Sequence, residues 1–510
     1  MVARKKLPIP TNYLFIGNFL LDIFPYDGII YRHRDILWRK RMFIGRSKEL
    51  RLLNDIINAN RPTIGVIYGR RRIGKSELIK KAFENRKVLI FEGLENRSKQ
   101  DQIDNFLFQL FYQTKKDFHH KRVKSWQEAF LLLYEELKLN PAHVVFDEFQ
   151  WMANYRNEIV SELKPVWDLR ISGIDGITLI LCGSIASFMI NKVVKSNAFF
   201  GRTDLVIHLK NFLLPDTKEM LKGKGIIEII EAQMLLGGIP KYLDLVREKP
   251  SIRIGIEELA FTETGYLVDE YERIFLSHFG KNPEYEKIVR VLAGQAYGLF
   301  RQQISEVAGV DLGGGLTSHL KNLESAGFIS SATPFHKGHN SRLLKYFLSD
   351  AYLRFYFSFV QPNLKKIKSG IQTDLFGKIA QSGAFNGWMG RSFEYLCIEH
   401  AAKISEMLGF SGIEFSFGPY FNAPGKDSAG MQIDLLFDRK DNVITLCEMK
   451  YLLSPVGMDI IEEIESKAEI INHKFRNKTI QKVLISRSNP TSDLASCGYF
   501  YRIIKPEEFF

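Results

Sequence analysis

Residues 63–76 read Thr63-Ile-Gly-Val-Ile-Tyr68-Gly69-Arg-Arg-Arg-Ile-Gly74-Lys75-Ser76. The run Thr63–Tyr68 is short, apolar and rich in β-branched residues, as a strand buried on both faces requires. Behind it stands G-x-x-x-x-G-K-S. The glycines let backbone N–H groups wrap an anion, and Lys75 supplies a point charge for the β- and γ-phosphates of a nucleotide. Ser76 offers its hydroxyl to Mg²⁺, and the helix predicted over Ser76–Phe83 aims its N-terminal dipole at the same anion. Gly69, Arg70, Arg71, Arg72, Ile73, Gly74, Lys75, Ser76 and Glu77 are therefore candidate cofactor-binding positions, with ATP and Mg²⁺ as the implied cofactors.

Working outward, His143-Val-Val-Phe-Asp147-Glu148 has strand rhythm and delivers Asp147 to the strand's C-terminal edge, where Mg²⁺ would sit. Glu148 follows, placed to polarise an attacking water. Lys87–Phe91 and Ile177–Cys182 are further strand-like runs, and a helical pattern covers Trp126–Leu137. Buried strands alternating with amphipathic helices give an α/β architecture with a parallel sheet.

Four more motifs appear in order: Phe43-Ile-Gly45-Arg46-x-x-Glu49-Leu50, Leu181-Cys-Gly-Ser184, Gly201-Arg202-Thr203 and Gly237-Gly-Ile-Pro240-Lys-Tyr-Leu. Together with the phosphate loop, these resemble the archaeal-type ATPase family within the STAND and AAA-like additional-strand NTPases. The resemblance covers about residues 42–350. It implies that Ser184 is a polar sensor of the γ-phosphate and that Gly45 and Arg46 border the adenine. It also implies that Pro240 contacts the nucleotide from a helical lid, and that Arg202 is a γ-phosphate or trans-acting arginine.

From Gly255 to Asp350 helical periodicity dominates. Ile304–Val310, the glycine turn Asp311-Leu-Gly-Gly-Gly315 and Leu316–Phe328 read as helix, turn, helix. Strand-like runs Ile329–Pro334 and Leu343–Leu348 flank His336-Lys337-Gly-His339-Asn. This is a winged helix-turn-helix pattern. Thr317, Ser318, His319 and Lys321 fall opposite its apolar side, and Lys337 and Arg342 fall on the wing. These six are candidate nucleic-acid contacts, with DNA as the expected form.

Near the C-terminus, Ile433-Asp434-Leu-Leu-Phe and Val443-Ile-Thr-Leu-Cys-Glu448-Met-Lys450 are strand-like. Strand side chains alternate, so Glu448 and Lys450 share a face. An antiparallel neighbour beginning at Gln432 would bring Asp434 beside them. Two carboxylates and a lysine on one patch suit metal-assisted phosphodiester hydrolysis: Asp434 and Glu448 hold the metal, and Lys450 orients the water or stabilises the charged transition state. Glu394, opening an amphipathic helix at Gly390-Arg-Ser-Phe-Glu394, would add a third acid. Other E-x-K strings (Glu136/Lys138, Glu162/Lys164, Glu465/Lys467) lie in helical patterns, where such positions do not share a face. The arrangement resembles the PD-(D/E)xK nuclease fold, with Ile433 in place of the proline. The wider layout resembles archaeal-type ATPases fused to a nuclease-like domain of uncharacterised function.

The 510 residues exceed one compact core. The expected division is an N-terminal extension (1–41), an ATPase core (42–210), a helical lid (211–280), a winged helix (281–352), a connector (353–380) and a restriction-endonuclease-like α/β domain (381–510). A net charge of +12 favours a polyanionic partner. Cys182, Cys397, Cys447 and Cys497 form no CxxC pair and suit a reducing, cytoplasmic setting. The apolar stretch Tyr13–Phe24 is broken by Asn18 and Asp22, which argues against a signal peptide or a span, so no membrane partner is expected. A homo-oligomer remains a candidate assembly. The expected activity is ATP hydrolysis that controls nucleic-acid binding or metal-dependent cleavage. The rival is a non-cleaving, ATP-switched DNA-binding regulator or scaffold with a decayed nuclease fold.

Overall fold

A computed structural model describes residues 43–510 apart from 117–121, 281, 296–297, 334–343, 372 and 423–430. The N-terminal extension, with Tyr13–Phe24, lies outside the described residues, and so do His336, Lys337, His339 and Arg342, the residues expected to form a wing.

The strands are β1 (Thr63–Tyr68), β2 (Val88–Glu92), β3 (His143–Asp147), β4 (Thr178–Gly183), β5 (Leu205–His208), β6 (Leu299–Phe300), β7 (Ile329–Ala332), β8 (Lys345–Leu348), β9 (Phe415–Asn422), β10 (Met431–Arg439), β11 (Val443–Lys450), β12 (Thr479–Ser486) and β13 (Arg502–Ile504). The helices that bear on the sites are α1 (Lys75–Ala82), α2 (Trp126–Leu139), α3 (Phe149–Met152), α4 (Glu158–Leu169), α5 (Ile226–Leu236), α6 (Pro240–Arg247) and α7 (Glu270–Phe279). Further along come α8 (Arg301–Ala308), α9 (Gly314–Ser325), α10 (Ala351–Phe355), α11 (Gly383–Glu399) and α12 (Ile460–Lys474).

The first sheet has the order β2-β3-β4-β1-β5 and is parallel throughout. Strands β1 and β4 are apolar and almost wholly buried because helices cover both faces. The C-terminal edge of the sheet therefore collects the loop after β1, the acids after β3 and Ser184 after β4 on neighbouring strands, the usual place for a ligand in an open α/β sheet. The predicted strands stand within one residue of the observed ones.

A small antiparallel sheet, β6-β8-β7, brackets the helix pair α8 and α9, with β6 before the pair and β7 and β8 after it. The predicted glycine turn is shorter than expected, because Gly314 and Gly315 open α9, and that helix stops at Ser325 rather than Phe328. Phe328 is buried beyond the helix end.

The third sheet, β13-β12-β11-β10-β9, is mixed. Strands β9, β10 and β11 pair antiparallel, while β11, β12 and β13 pair parallel. One face packs Ile444, Leu446 and Leu484 against Ile460, Ile464 and Ile471 of α12. The other packs Leu435, Phe437, Cys447 and Val483 with Phe393, Leu396 and Cys397 of α11. That second core runs without a break through Tyr352, Tyr242 and Leu236, so the lid helices and the C-terminal sheet share one apolar interior. The parallel sheet has its own.

Candidate functional sites

The loop after β1 is a cradle built by backbone. Gly74 sits at φ 88° and caps α1, a left-handed position that glycine takes without a Cβ clash. Lys75 folds back and donates to Gly69 O (3.0 Å) and Arg70 O (3.1 Å). Ser76 Oγ donates to Asp147 Oδ2 at 2.8 Å, so hydroxyl and carboxylate lie together as ligands of one Mg²⁺ would. Glu77 stays at the exposed start of α1 and pairs with Lys80 at 3.1 Å.

The three loop arginines do not line the cradle with their side chains. Arg70 is buried, ion-pairs with Asp350 and lies over the Phe328 ring at 4.8 Å. Arg71 lies over Trp151 at 5.2 Å. Arg72 pairs with the fully buried Glu270 at 2.9 Å, and Tyr242 donates to the same glutamate at 2.7 Å. Burial lowers the Arg70 guanidinium and raises the Glu270 carboxyl from their ordinary values, so each relies on its neighbours to stay charged. The expectation placed these positions in a backbone cradle, and their side chains turn to other partners. Their backbone belongs to the cradle, and the guanidinium groups of Arg70 and Arg72 tie it to residues far along the chain.

Arg46 is likewise structural in its contacts. It donates to Ile73 O at 3.2 Å and Lys210 O at 2.5 Å, lies over Phe212 at 4.7 Å and pairs with Glu49 at 3.6 Å. Gly45 packs so closely on Asp216 that a Cβ would meet its Oδ1 at 2.5 Å. Pro240 opens α6, and the next amide, Lys241 N, reaches Arg72 O at 3.4 Å, so this lid element does touch the loop. Arg202 is held by Asp168 on α4, through contacts of 2.8 and 3.0 Å.

Glu148 takes a left-handed backbone conformation (φ 47°) at the start of α3. Its Oε2 accepts from Ser184 Oγ (2.8 Å) and from Gln150 Nε2 (2.6 Å). Gln150 went unnoticed in the sequence because an amide two residues past an acid has no motif of its own.

The C-terminal residues converge as the alternation argument required. Leu435 pairs with Cys447, which sets Asp434 opposite Glu448 across the ladder, beside a bulge. Glu394 on α11, Asp434 on β10, and Glu448 and Lys450 on β11 line one cavity of about 800 Å³. Arg391, Arg487 and Lys467 line it as well, and the lid adds Glu231 from α5 and Arg253. Lys450 pairs with Glu448 Oε1 at 2.9 Å and Lys467 with Oε2 at 2.7 Å, and both lysines also reach Glu463. Asp434 Oδ2 accepts from Met449 N at 3.1 Å. Burial and then the Glu448 charge lift Glu394 to about 7 and hold Asp434 well above the carboxylate range. Burial opposes the charge on Lys450, but Glu448 and Glu463 more than restore it.

Among the described residues, no group of three or more His, Cys, Asp or Glu side chains is arranged to hold a metal. The reason is local, because both oxygens of Glu448 already face ammonium groups. Lys467 belongs to one of the helical E-x-K strings set aside on spacing. It reaches Glu448 across the α12–sheet interface, a tertiary contact that i, i+2 reasoning cannot see.

On α9, Thr317, Ser318 and Lys321 are exposed, but His319 does not stand outside with them. Its ring turns inward, packs edge-on to Tyr285 at 4.5 Å and meets Glu284 at 3.1 Å, which corrects its place on the contact face.

Residues 43–246 match an ATPase domain found predominantly in Archaea. The chain therefore carries an archaeal-type ATPase domain. Such a domain binds and hydrolyses ATP. Residues 356–477 match a family of Archaea bacterial proteins of unknown function. An uncharacterized protein of Methanocaldococcus jannaschii is 27% identical over 368 residues, 72% of this chain and 79% of its own. An uncharacterized ATP-binding protein of that organism is 47% identical over 47 residues, 9% of this chain and 80% of its own. Among solved structures, the Walker-type ATPase of Pyrococcus abyssi is 19% identical, with a TM-score of 0.47, over 62% of this chain and 97% of that one. Among the described residues, no helix is long and apolar enough to cross a membrane.

Proposed function

We propose that ATP binding and hydrolysis at the P-loop control a nucleic-acid-processing pocket in the C-terminal region. In this reading Lys75 and the loop amides hold the phosphates, Ser76 and Asp147 hold Mg²⁺, Glu148 polarises water and Ser184 senses the γ-phosphate. Bound Mg²⁺ supplies charge neutralisation. Arg202, held by Asp168, would serve a neighbouring copy of the chain.

One observation carries the control. Arg70 of the loop pairs with Asp350, whose Oδ1 accepts from Leu353 N at 2.7 Å and so caps α10. On α10, Arg354 lies over the Tyr395 ring at 4.0 Å. Tyr395 adjoins Glu394 of the cavity. The lid adds a second tie, because Glu231 accepts from Tyr451 at 3.4 Å and faces Arg487 at 3.7 Å. A shift of the loop on nucleotide binding thus has a packed route to the carboxylates.

Phosphodiester cleavage is the activity that Glu394, Asp434, Glu448 and Lys450 suit best, with DNA as the substrate. A divalent cation would belong with Asp434 and Glu448, where two lysines hold Glu448 in this arrangement. Thr317, Ser318 and Lys321 would meet phosphates, joined by Lys337 and Arg342. The test is incubation of the full chain with plasmid and short duplex DNA in Mg²⁺ or Mn²⁺. Cutting should appear, and Asp434→Asn or Glu448→Gln should abolish it while ATP hydrolysis continues. A wild-type chain that binds DNA but never cuts it would sink this reading. The lysine saturation of Glu448 favours that second reading, a non-cleaving ATP-switched DNA-binding regulator.

A further inference from the structure

Among the buried polar side chains of the ATPase domain, Gln150 stands in contact with the candidate catalytic acid. Gln150 is fully buried on α3, directly beneath the acids that follow β3. A buried amide must find partners, and this one places both of its donors and one acceptor bond at one place. Its Nε2 donates to Glu148 Oε2 at 2.6 Å and to Ser184 Oγ at 3.1 Å, and its Oε1 accepts from Ser184 N at 3.3 Å. Ser184 Oγ, receiving that hydrogen, passes its own to Glu148 Oε2 at 2.8 Å.

The donors are consistent atom by atom. The amide has two hydrogens and uses one on each oxygen, and the hydroxyl has one hydrogen and uses it on the carboxylate. Both hydrogen bonds to Glu148 fall on Oε2. Among the described residues none falls on Oε1. The backbone is shaped for this contact. Glu148 takes its left-handed turn, which folds Gln150 back toward it. Residue 183 is glycine, and a Cβ there would meet Gln150 Oε1 at 2.6 Å and Met189 Sδ at 2.6 Å.

We infer that Gln150 is a positioning residue for ATP hydrolysis: with Ser184 it pins Oε2 of Glu148 and thereby turns Oε1 toward the attacking water. The inference rests on the assignment of Glu148 as the water-polarising group. It also gives Ser184 a second duty. Its single hydroxyl hydrogen cannot reach Glu148 and a γ-phosphate at once, so Gln150 alone holds the carboxylate whenever Ser184 turns to the nucleotide.

Gln150→Met keeps the length of the side chain and removes both donors. In the full chain with Mg²⁺ it should lower kcat for ATP hydrolysis about 10- to 100-fold, the rate equivalent of a hydrogen bond to a charged group. The dissociation constant for ATP should stay within about threefold, because positioning acts on turnover and not on binding. In a Glu148→Gln background the same change should add nothing, since no base remains to be positioned. Gln150→Glu, which keeps the shape but sets an acceptor against an acceptor, should lose turnover as Met does. If Gln150→Met fails to fold, Gln150→Leu, which also lacks both donors, takes its place and should lower kcat in the wild-type background only. Wild-type kcat in Gln150→Met, or a loss that acts through weaker ATP binding alone, overturns the inference. Wild-type turnover in Glu148→Gln would instead overturn the assignment beneath it.

Discussion

At the P-loop, Asp147 and Glu148 each receive donors from neutral groups: Ser76 and the Glu148 amide for the first, Ser184 and Gln150 for the second. In the C-terminal cavity Glu394, Asp434 and Glu448 instead face one another; two lysines pair directly with Glu448, while the Met449 amide on Asp434 and the charge of Arg391 near Glu394 leave those two carboxyls raised. The first site is finished by the protein's own dipoles and waits for a ligand. The second is poised between protons, ammonium groups and any cation that can displace them. A preorganised centre does one reaction repeatedly, whereas a centre with competing counter-charges can be held off and released.

The comparison breaks most sharply with Lys75→Ala. It should abolish ATP binding in calorimetry and leave the cavity's acids as they are. Conversely, Asp434→Asn should leave ATP hydrolysis at its wild-type rate, and a large loss there would mean that the two sites are not chemically separate.

Next in size is the joint between them. Removing one partner of the buried Arg70–Asp350 pair strands the other charge, so Arg70→Met or Asp350→Leu alone should cost about 3–5 kcal/mol in denaturant unfolding. The double variant should recover most of that. Equal losses in the single and double variants would mean that the pair contributes nothing as a pair.

The protonation contrast should be smaller. Glu394 has its folded value raised to about 7 from an ordinary 4.5. Between those values the folded chain keeps a proton that the unfolded chain has released. Its contribution to stability is therefore present below about pH 4.5 and is lost as pH rises through about 7. Glu394→Gln should match wild type near pH 5 and gain on it above pH 7, by up to about 3 kcal/mol. A gap that does not widen with pH would show that the carboxylates do not crowd as described.

Four strands of the parallel sheet were legible because each is a short, mostly apolar run and the loop has a fixed glycine and lysine spacing; the edge strand β5, four residues long and half exposed, was not. The C-terminal site was legible where period-two alternation reaches, at Glu448 and Lys450, and through one antiparallel step to Asp434. The partners that complete both sites were not. Gln150 acts through a turn at a left-handed glutamate, and Lys467 acts across a helix–sheet interface. Arg70 acts on Asp350, 280 positions along the chain. Each depends on tertiary placement, which local spacing does not encode. His319 was misplaced for a related reason: helical periodicity gave its side of α9, but not the neighbouring Tyr285 and Glu284 that draw it inward.

In the proposed control, nucleotide at the P-loop sets the state of the C-terminal cavity. The most direct measurement is DNA cutting in Mn²⁺ by two full-length variants, Glu148→Gln saturated with ATP and nucleotide-free Lys75→Ala. Coupling of ordinary size, about 1–3 kcal/mol, predicts rates that differ roughly 5- to 150-fold, with the difference lost when Arg70→Met is added. Identical rates in the two variants, or no cut product from either, would contradict the account.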